Sequence, residues 1–336
     1  MASRTVVAST RVHAASREHP DAPYTSGICR TGGGKLSPFK TKQTAQPGDE
    51  LLEKPSFDIT TIGVVGTGQM GVGIAALCAA KGFNVVLKSR REETARSALE
   101  AISRQLRKTL GTQQAANAIA RVSTTTRFQD LKCAQFVVES IVEDEAAKRE
   151  AFRQLGENTP PTTVIATNTS SIQVGKLAAE TAHPNRVVGM HFFNPVHAMQ
   201  LVEIVRPQDA SGEAVAKAGA LAEALGKTAI TVKDSPGFIV NRLLLPQLND
   251  AARLVQEGVA SAEEVDEAVR LGLNHPMGPL RLIDLIGVDT AVEVLRQLHA
   301  QTGEKHFAPC KLLEKMLAEG KLGRKAGEGF YTYKRK

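Results

Sequence analysis

The chain has no tryptophan, three tyrosines and eleven phenylalanines in 336 residues, and only four cysteines. Each scarcity excludes something. So few rings leave no aromatic platform on which bases could stack, so nucleic acid is not an expected partner despite a net charge of +7. Cys29, Cys78, Cys133 and Cys310 lie far apart, with neither CxxC nor Cys/His spacing, which argues for reduced thiols and against zinc. No metal is expected. Lys, Arg or Gly interrupts every apolar run before it reaches bilayer length, so no membrane partner is expected either.

The positive charge is unevenly spread. Residues 1–48 carry Arg4, Arg11, Arg17, Arg30, Lys35, Lys40 and Lys42 against Glu18 and Asp21 alone, which is five of the seven net charges. This stretch is rich in Ser and Thr, contains G-G-G at 32–34 and shows little apolar periodicity, so residues 1–58 are expected to form a disordered basic leader. It lacks a secretory hydrophobic core. Its composition fits an organellar transit peptide, a flexible tail or a start codon placed too early; the protein is expected in the cytoplasm, or in an organelle if the leader is a transit peptide.

What is present begins at Ile62, where a β-branched run enters G-T-G-Q-M-G at 66–71 and leaves as an apolar helix. That pattern cradles a dinucleotide pyrophosphate. Gly66 allows the tight turn, Gly68 removes the side chain that would block the phosphates, Gly71 lets the helix lie close to its strand, and Gln69 and Met70 complete the loop at the helix N-terminus. Val85, Val86 and Leu87 read as the second strand. An NAD site would end that strand in an acid that grips the ribose 2′-hydroxyl. Here Ser89, Arg90 and Arg91 follow instead, a small hydroxyl and two guanidinium groups suited to a 2′-phosphate. NADP(H) is therefore the favoured cofactor, with NAD(H) possible. The competing reading makes both arginines solvated residues that open the next helix.

From Ile59 to about Val232 strand-like and helix-like segments alternate, as a doubly wound parallel sheet requires. Strands are expected at 136–139, 164–167, 187–190, 201–205 and 230–232, with helices near 95–110, 145–156 and 211–225. After D-S-P-G at 234–237 the strand signals stop. Amphipathic helices are expected near 238–256, 262–271, 288–301 and 309–319, one of them opened by a Ser261/Glu264 capping box, and then an extended tail through G-E-G-F-Y-T-Y at 327–333. The fold class is thus α/β: a Rossmann-type dinucleotide-binding domain over 59–236, followed by an all-α domain over 237–336.

Three segments carry candidate chemistry. H-F-F-N-P at 191–195 ends one strand, and L-V-E-I-V at 201–205 begins the next. In a hairpin centred on His197, His191 and Glu203 face each other across the ladder at about 5 Å between Cβ atoms. A carboxylate so placed would fix the imidazole tautomer and raise its basicity, which is the arrangement that proton transfer to and from an alcohol needs. The plain alternative is a core histidine satisfied by backbone. T-N-T-S-S at 167–171 follows another apolar strand and could bind a nicotinamide or a carbonyl, or only shape a turn. Glu143 and Lys148 are equally a site pair or an exposed helix-start pair.

Taken in order, G-T-G-Q-M-G at 66–71, V-V-E-S-I-V-E-D at 137–144, T-N-T-S-S at 167–171, H-F-F-N-P at 191–195, L-V-E-I-V at 201–205, D-S-P-G-F-I-V-N-R at 234–242, P-M-G-P at 276–279 and G-E-G-F-Y at 327–331 resemble the 3-hydroxyacyl-CoA dehydrogenase family, over nearly everything from Ile59 to Tyr333. The resemblance implies that His191 is the general acid/base and that Glu203 orients it. It places Ser170, Asn194 and Asn241 along the substrate carbonyl and thioester, and Glu143, Lys148 and Asn168 at the nicotinamide half of the cofactor. It further implies an acyl-CoA substrate, 3-hydroxybutyryl-CoA in the stand-alone members, a coenzyme A tail that runs past the helix after the second strand, where Arg104, Arg107 and Lys108 are either phosphate partners or a solvated helical face, and a homodimer formed by the helical domain. Ser89 departs from the family's usual acid. Alternatives on the same fold are a dehydrogenase of an acyl-carrier-protein-bound hydroxyacyl unit or of a sugar acid, and more remotely a cofactor-binding structural protein without turnover.

Overall fold

The computed structural model describes residues 58–334, so nearly all of the basic leader lies outside the described residues. Eight strands form one sheet in the order β3-β2-β1-β4-β5-β6-β7-β8. In chain order they are β1 (Thr61–Val65), β2 (Asn84–Lys88), β3 (Val122–Thr125), β4 (Phe136–Glu139), β5 (Val164–Thr167), β6 (Val187–Phe192), β7 (Leu201–Arg206) and β8 (Thr228–Lys233). The first six run parallel; β7 is antiparallel to β6, and β8 is parallel to β7. Between β1 and β4 the connectivity reverses direction across the sheet, and a crevice at such a switch point receives the ligand in open α/β folds.

The helices that cover this sheet are α1 (Gln69–Ala80), α2 (Glu92–Leu110), α3 (Thr112–Ile119), α4 (Glu145–Asn158), α5 (Val174–Ala178) and α6 (Gly212–Ala224). Helix α1 has no polar face at all after its first residue and is buried from Gly73 to Ala79, as a helix sunk between a sheet and other helices must be. One core packs α1, α2, α3 and α6 against Ile62, Val64, Val85 and Leu87; a second, on the other face, gathers Val65, Val137, Phe152, Ile165 and Leu177. The β-strand alternation of side chains therefore decides which core each residue joins.

Beyond β8 the described chain is helical: α7 (Val240–Gln256), α8 (Ala262–Gly272), α9 (Pro279–Ile286), α10 (Val288–Thr302) and α11 (Lys311–Ala318). They share a third core built on Leu245, Leu248, Leu280, Ile283, Leu295 and Leu313. The Ser261/Glu264 capping box opens α8, with both reciprocal bonds formed. The tail is held by buried acids. Asp284 accepts from the N–H groups of Phe330 and Tyr331 and from the Tyr333 hydroxyl, while Asp266 accepts from the Tyr331 hydroxyl at 2.7 Å.

Several elements differ from the sequence expectation. Strand β3 and helices α3, α5 and α9 were not anticipated, and α2 begins at Glu92, three residues early. Strand β3 reads V-S-T-T and sits at the sheet edge, where a single apolar residue gives no periodic signal. Helix α9 has Pro279 in its first turn, a position where the missing N–H costs nothing.

Candidate active site

The glycine loop joins β1 to α1, and each glycine has its own steric reason. Gly66 has φ +116°, and a Cβ there would strike the Ser140 carbonyl at the end of β4. At Gly71 a Cβ would strike the Gly66 carbonyl, so a larger residue would push α1 off its strand. Gly68, in contrast, faces open space: a Cβ would meet nothing within 4 Å. Gly68 is also the N-cap of α1, with no side chain capping the helix and no acid in its first turn. A helix terminus with free N–H groups beside an open glycine suits a pyrophosphate, so the loop fits the dinucleotide that its sequence suggests.

At the far end of the crevice, β6 and β7 pair in the register His191↔Glu203, as hairpin symmetry about His197 requires. His191 Nδ1 and Glu203 Oε2 are 2.7 Å apart, and both side chains are buried. Burial is the largest influence on Glu203 and opposes its ionisation. The hydrogen bonds from His191 and from the N–H groups of Val240 and Ile239 outweigh it and hold the carboxyl below its ordinary pKa. An ionised Glu203 therefore takes the hydrogen on Nδ1 and leaves Nε2 as the atom that exchanges a proton. The rings of Phe193 and Phe238 lie 4.5 and 5.5 Å from the imidazole.

Glu203 has a second duty that sequence reasoning missed. Its Oε1 accepts the Ile239 and Val240 N–H groups at 3.0 Å each, at the N-terminus of α7, so one carboxylate ties the imidazole to the first helix of the C-terminal segment. Asn241 follows on the same turn and reaches the Ser170 carbonyl at 3.5 Å. On α10, Gln301 donates to the Ser171 carbonyl at 2.8 Å.

The T-N-T-S-S loop at the end of β5 is held by Glu143. One oxygen of that carboxylate accepts from the Thr169 and Ser171 hydroxyls and from the Ser170 and Ser171 N–H groups. Burial works against its charge, yet the Lys148 ammonium and these donors together keep the Glu143 carboxyl below its ordinary pKa. The Ser170 hydroxyl has no hydrogen-bond partner among the described residues. Lys148 is not an exposed helix-start residue: its side chain is 0% exposed, with Nζ 2.7 Å from Glu139 and 3.4 Å from Glu143. The sequence offered no sign of this, because Glu139 belongs to another element. Glu139 also accepts from the Ile141 N–H and the Thr167 hydroxyl at 2.7 Å each, so its carboxylate gathers the ends of β4 and β5 and the start of α4.

Asn168 ties neighbouring strand ends together, accepting the Phe192 N–H at 2.9 Å and donating to the Ser140 hydroxyl at 3.1 Å. Asn194 accepts from Gln69 at 3.1 Å, which links the hairpin loop to the glycine loop, and Met70 is partly buried against the core. Lys227, also missed, donates to the carbonyls of Val196 and Met199 at 2.7 Å and so clamps the loop that carries Asn194. At the end of β2, Ser89 is buried while Arg90 and Arg91 are exposed. Arg104, Arg107 and Lys108 lie on α2, where the Arg104 ion pair with Glu100 is exposed and long at 3.8 Å.

Residues 61–235 match the family model of the NAD-binding domain of 3-hydroxyacyl-CoA dehydrogenase, and residues 237–333 match that of its C-terminal domain. The chain is 44% identical over 285 residues to a probable 3-hydroxybutyryl-CoA dehydrogenase of Bacillus subtilis, which covers 83% of this chain and 99% of that protein. It is 39% identical over 283 residues to the mitochondrial hydroxyacyl-coenzyme A dehydrogenase of Sus scrofa, covering 81% and 90%. A crystal structure of (S)-3-hydroxybutyryl-CoA dehydrogenase from Ralstonia eutropha superposes with a TM-score of 0.79 at 41% identity, covering 82% of this chain and 100% of that one. With both of its domain models matched end to end and the motifs of its sequence set around one crevice, this chain belongs to the 3-hydroxyacyl-CoA dehydrogenase family.

Proposed function

We propose that this protein interconverts an L-3-hydroxyacyl-CoA, of the short 3-hydroxybutyryl type, with the corresponding 3-oxoacyl-CoA, and that it prefers NADP(H). The observation that carries the reaction is the buried His191–Glu203 pair at one end of a crevice whose other end is a dinucleotide loop. When bound, the nicotinamide supplies or accepts the hydride at substrate C3. In the reducing direction, His191 gives the Nε2 proton to the oxygen that gains negative charge, and Glu203 keeps the ring aligned through Nδ1. The free Ser170 hydroxyl is a donor for the same oxygen, which costs little reorganisation when the loop is already fixed by Glu143. Asn194 and Asn241 flank the thioester end. In the oxidising direction the proton returns to Nε2, and the ionised Glu203 stabilises the imidazolium.

NADP(H) preference rests on the end of β2, where no acid stands to grip a 2′-hydroxyl and Arg90 and Arg91 carry no ion pair among the described residues. Pairing of two copies through the helical segment is part of the same reading. Among the described residues no helix is long and apolar enough to cross a membrane.

The test is steady-state reduction of acetoacetyl-CoA by NADPH and by NADH, on wild type and on Arg90→Asp. Turnover that favours NADPH in wild type and NADH in the variant is the expected result. Wild-type preference for NADH would overturn the cofactor reading alone; absence of turnover with either would overturn the substrate reading.

A further inference from the structure

The serine that replaces the usual acid is bonded inward, to a neighbouring hydroxyl. Ser89 is 2% exposed, and its Oγ lies 2.5 Å from Thr94 Oγ1. Thr94 uses its single hydroxyl hydrogen on the Arg91 carbonyl at 2.9 Å. The short Ser89–Thr94 contact must therefore be made with the Ser89 hydrogen, and the serine is committed.

The residue before it is in the opposite condition. Lys88 closes β2, and its carbonyl accepts the Gly66 N–H at 3.0 Å, so its backbone sits directly beside the pyrophosphate turn. Its side chain is on the sheet face away from α1, where Nζ lies 3.8 Å from the centre of the Phe128 ring. Lys88 as a whole is only 8% exposed, yet its ammonium has no oxygen acceptor and no carboxylate partner among the described residues. It is not among the sealed side-chain atoms that lack a partner, so the amine keeps an opening to solvent. Burial, and then the neighbouring Arg90 charge, hold its pKa below the ordinary lysine value, the condition of a cation without its anion.

Nearby carboxylates do not relieve it. Asp130 is occupied by Arg127 at 2.7 Å and by the Thr125 hydroxyl, and Glu92 receives the Thr126 hydroxyl at 3.4 Å. Helix α2 starts at the same place with Arg91 as N-cap, no side-chain cap, and Glu92 and Glu93 in its first turn, so the anion is drawn by the cations and not by the helix end. A partly desolvated lysine and a neighbouring arginine at one strand end are the components of a site for a dianion.

We propose that Lys88 is a specificity-determining residue of the cofactor cleft, its ammonium binding the 2′-phosphate of the adenosine together with Arg90, and that Ser89 is not a phosphate ligand. This rests on the NADP(H) reading above. Phe128 holds the ammonium by cation–π attraction, and the phosphate supplies the missing counter-charge. Ser89 contributes by being small and bonded inward, which leaves the space an acid would fill.

Calorimetric titration of the full chain with adenosine 2′,5′-bisphosphate and, separately, with AMP tests this without turnover. Lys88→Met keeps an apolar stem on Phe128, and Lys88→Gln provides a second variant. Loss of one charge-assisted bond is expected to weaken bisphosphate binding about tenfold or more while AMP binding stays within about twofold. Ser89→Ala is expected to change bisphosphate affinity by less than about twofold. If Lys88 variants lose both ligands equally, or Ser89→Ala loses as much bisphosphate affinity as they do, the assignment of Lys88 is overturned while NADP(H) preference stands. If wild type binds AMP as tightly as the bisphosphate, the NADP(H) reading falls and the Lys88 assignment falls with it.

Discussion

The two ends of the crevice handle charge in opposite ways. At the β6–β7 hairpin the buried acid and base are paired within the protein: His191 has Glu203, and Glu203 in turn holds the first turn of α7. At the end of β2 the cations Lys88, Arg90 and Arg91 have no carboxylate partner among the described residues, and Lys88 lies on the Phe128 ring. A group that must shuttle one proton repeatedly gains from being fixed in advance, since orientation is then not re-established at each turnover. Groups that only receive a ligand gain from being left unpaired, because the ligand's charge is then not competing with an internal one. On the proposed function, the same crevice separates a part for chemistry from a part for selection.

The largest effect is expected where the fixed end is cut. Glu203→Gln retains an acceptor for the α7 N–H groups but no longer holds Nδ1 as an ionised partner, so kcat should fall by about 100-fold or more with KM little changed. Glu203→Ala should lose stability as well, which comparison of urea midpoints would reveal. Equal kcat in Glu203→Gln and wild type would erase the distinction between the two ends.

Next comes Lys148→Met, which strands the Glu139 carboxylate in the interior without its ammonium. Removing one partner of a buried pair costs about 3–5 kcal/mol, read as a lowered urea midpoint, and activity should fall only in proportion to the folded fraction unless the T-N-T-S-S loop shifts. A smaller effect attaches to Glu143. Its folded pKa lies below its unfolded value, so its stabilisation is present above the ordinary carboxylate range and is lost as pH falls through the folded value. The gap in urea midpoint between wild type and Glu143→Gln should therefore be widest near neutrality and close in acid. Smallest of all is Arg153→Ala, which removes exposed pairs to Glu150 and Glu157 and should leave both midpoint and kcat unchanged.

The fixed end was legible in the sequence because a hairpin imposes its own arithmetic: once His197 is the centre, residues 191 and 203 must oppose each other. The glycine loop was legible for a similar reason, since strand, turn and helix are contiguous and each glycine answers to a local clash. Partnerships between separate elements were not. Nothing in E-A-A-K-R-E at the start of α4 distinguishes Lys148, which is buried against Glu139, from Arg149, which is exposed to solvent. Lys227 looks like any residue after a glycine, although it clamps the hairpin loop from the turn before β8. The sequence shows Ser89 as small but not that its hydroxyl lies 2.5 Å from that of Thr94, because only the fold sets the two together.

The most direct test of the account is the single-turnover rate of acetoacetyl-CoA reduction in His191→Gln, followed by loss of NADPH absorbance at saturating substrate, with nucleotide affinity measured in parallel. The account predicts wild-type nucleotide affinity and a rate lowered by about 100-fold or more. An unchanged rate would show that the proton does not pass through His191 and would contradict it.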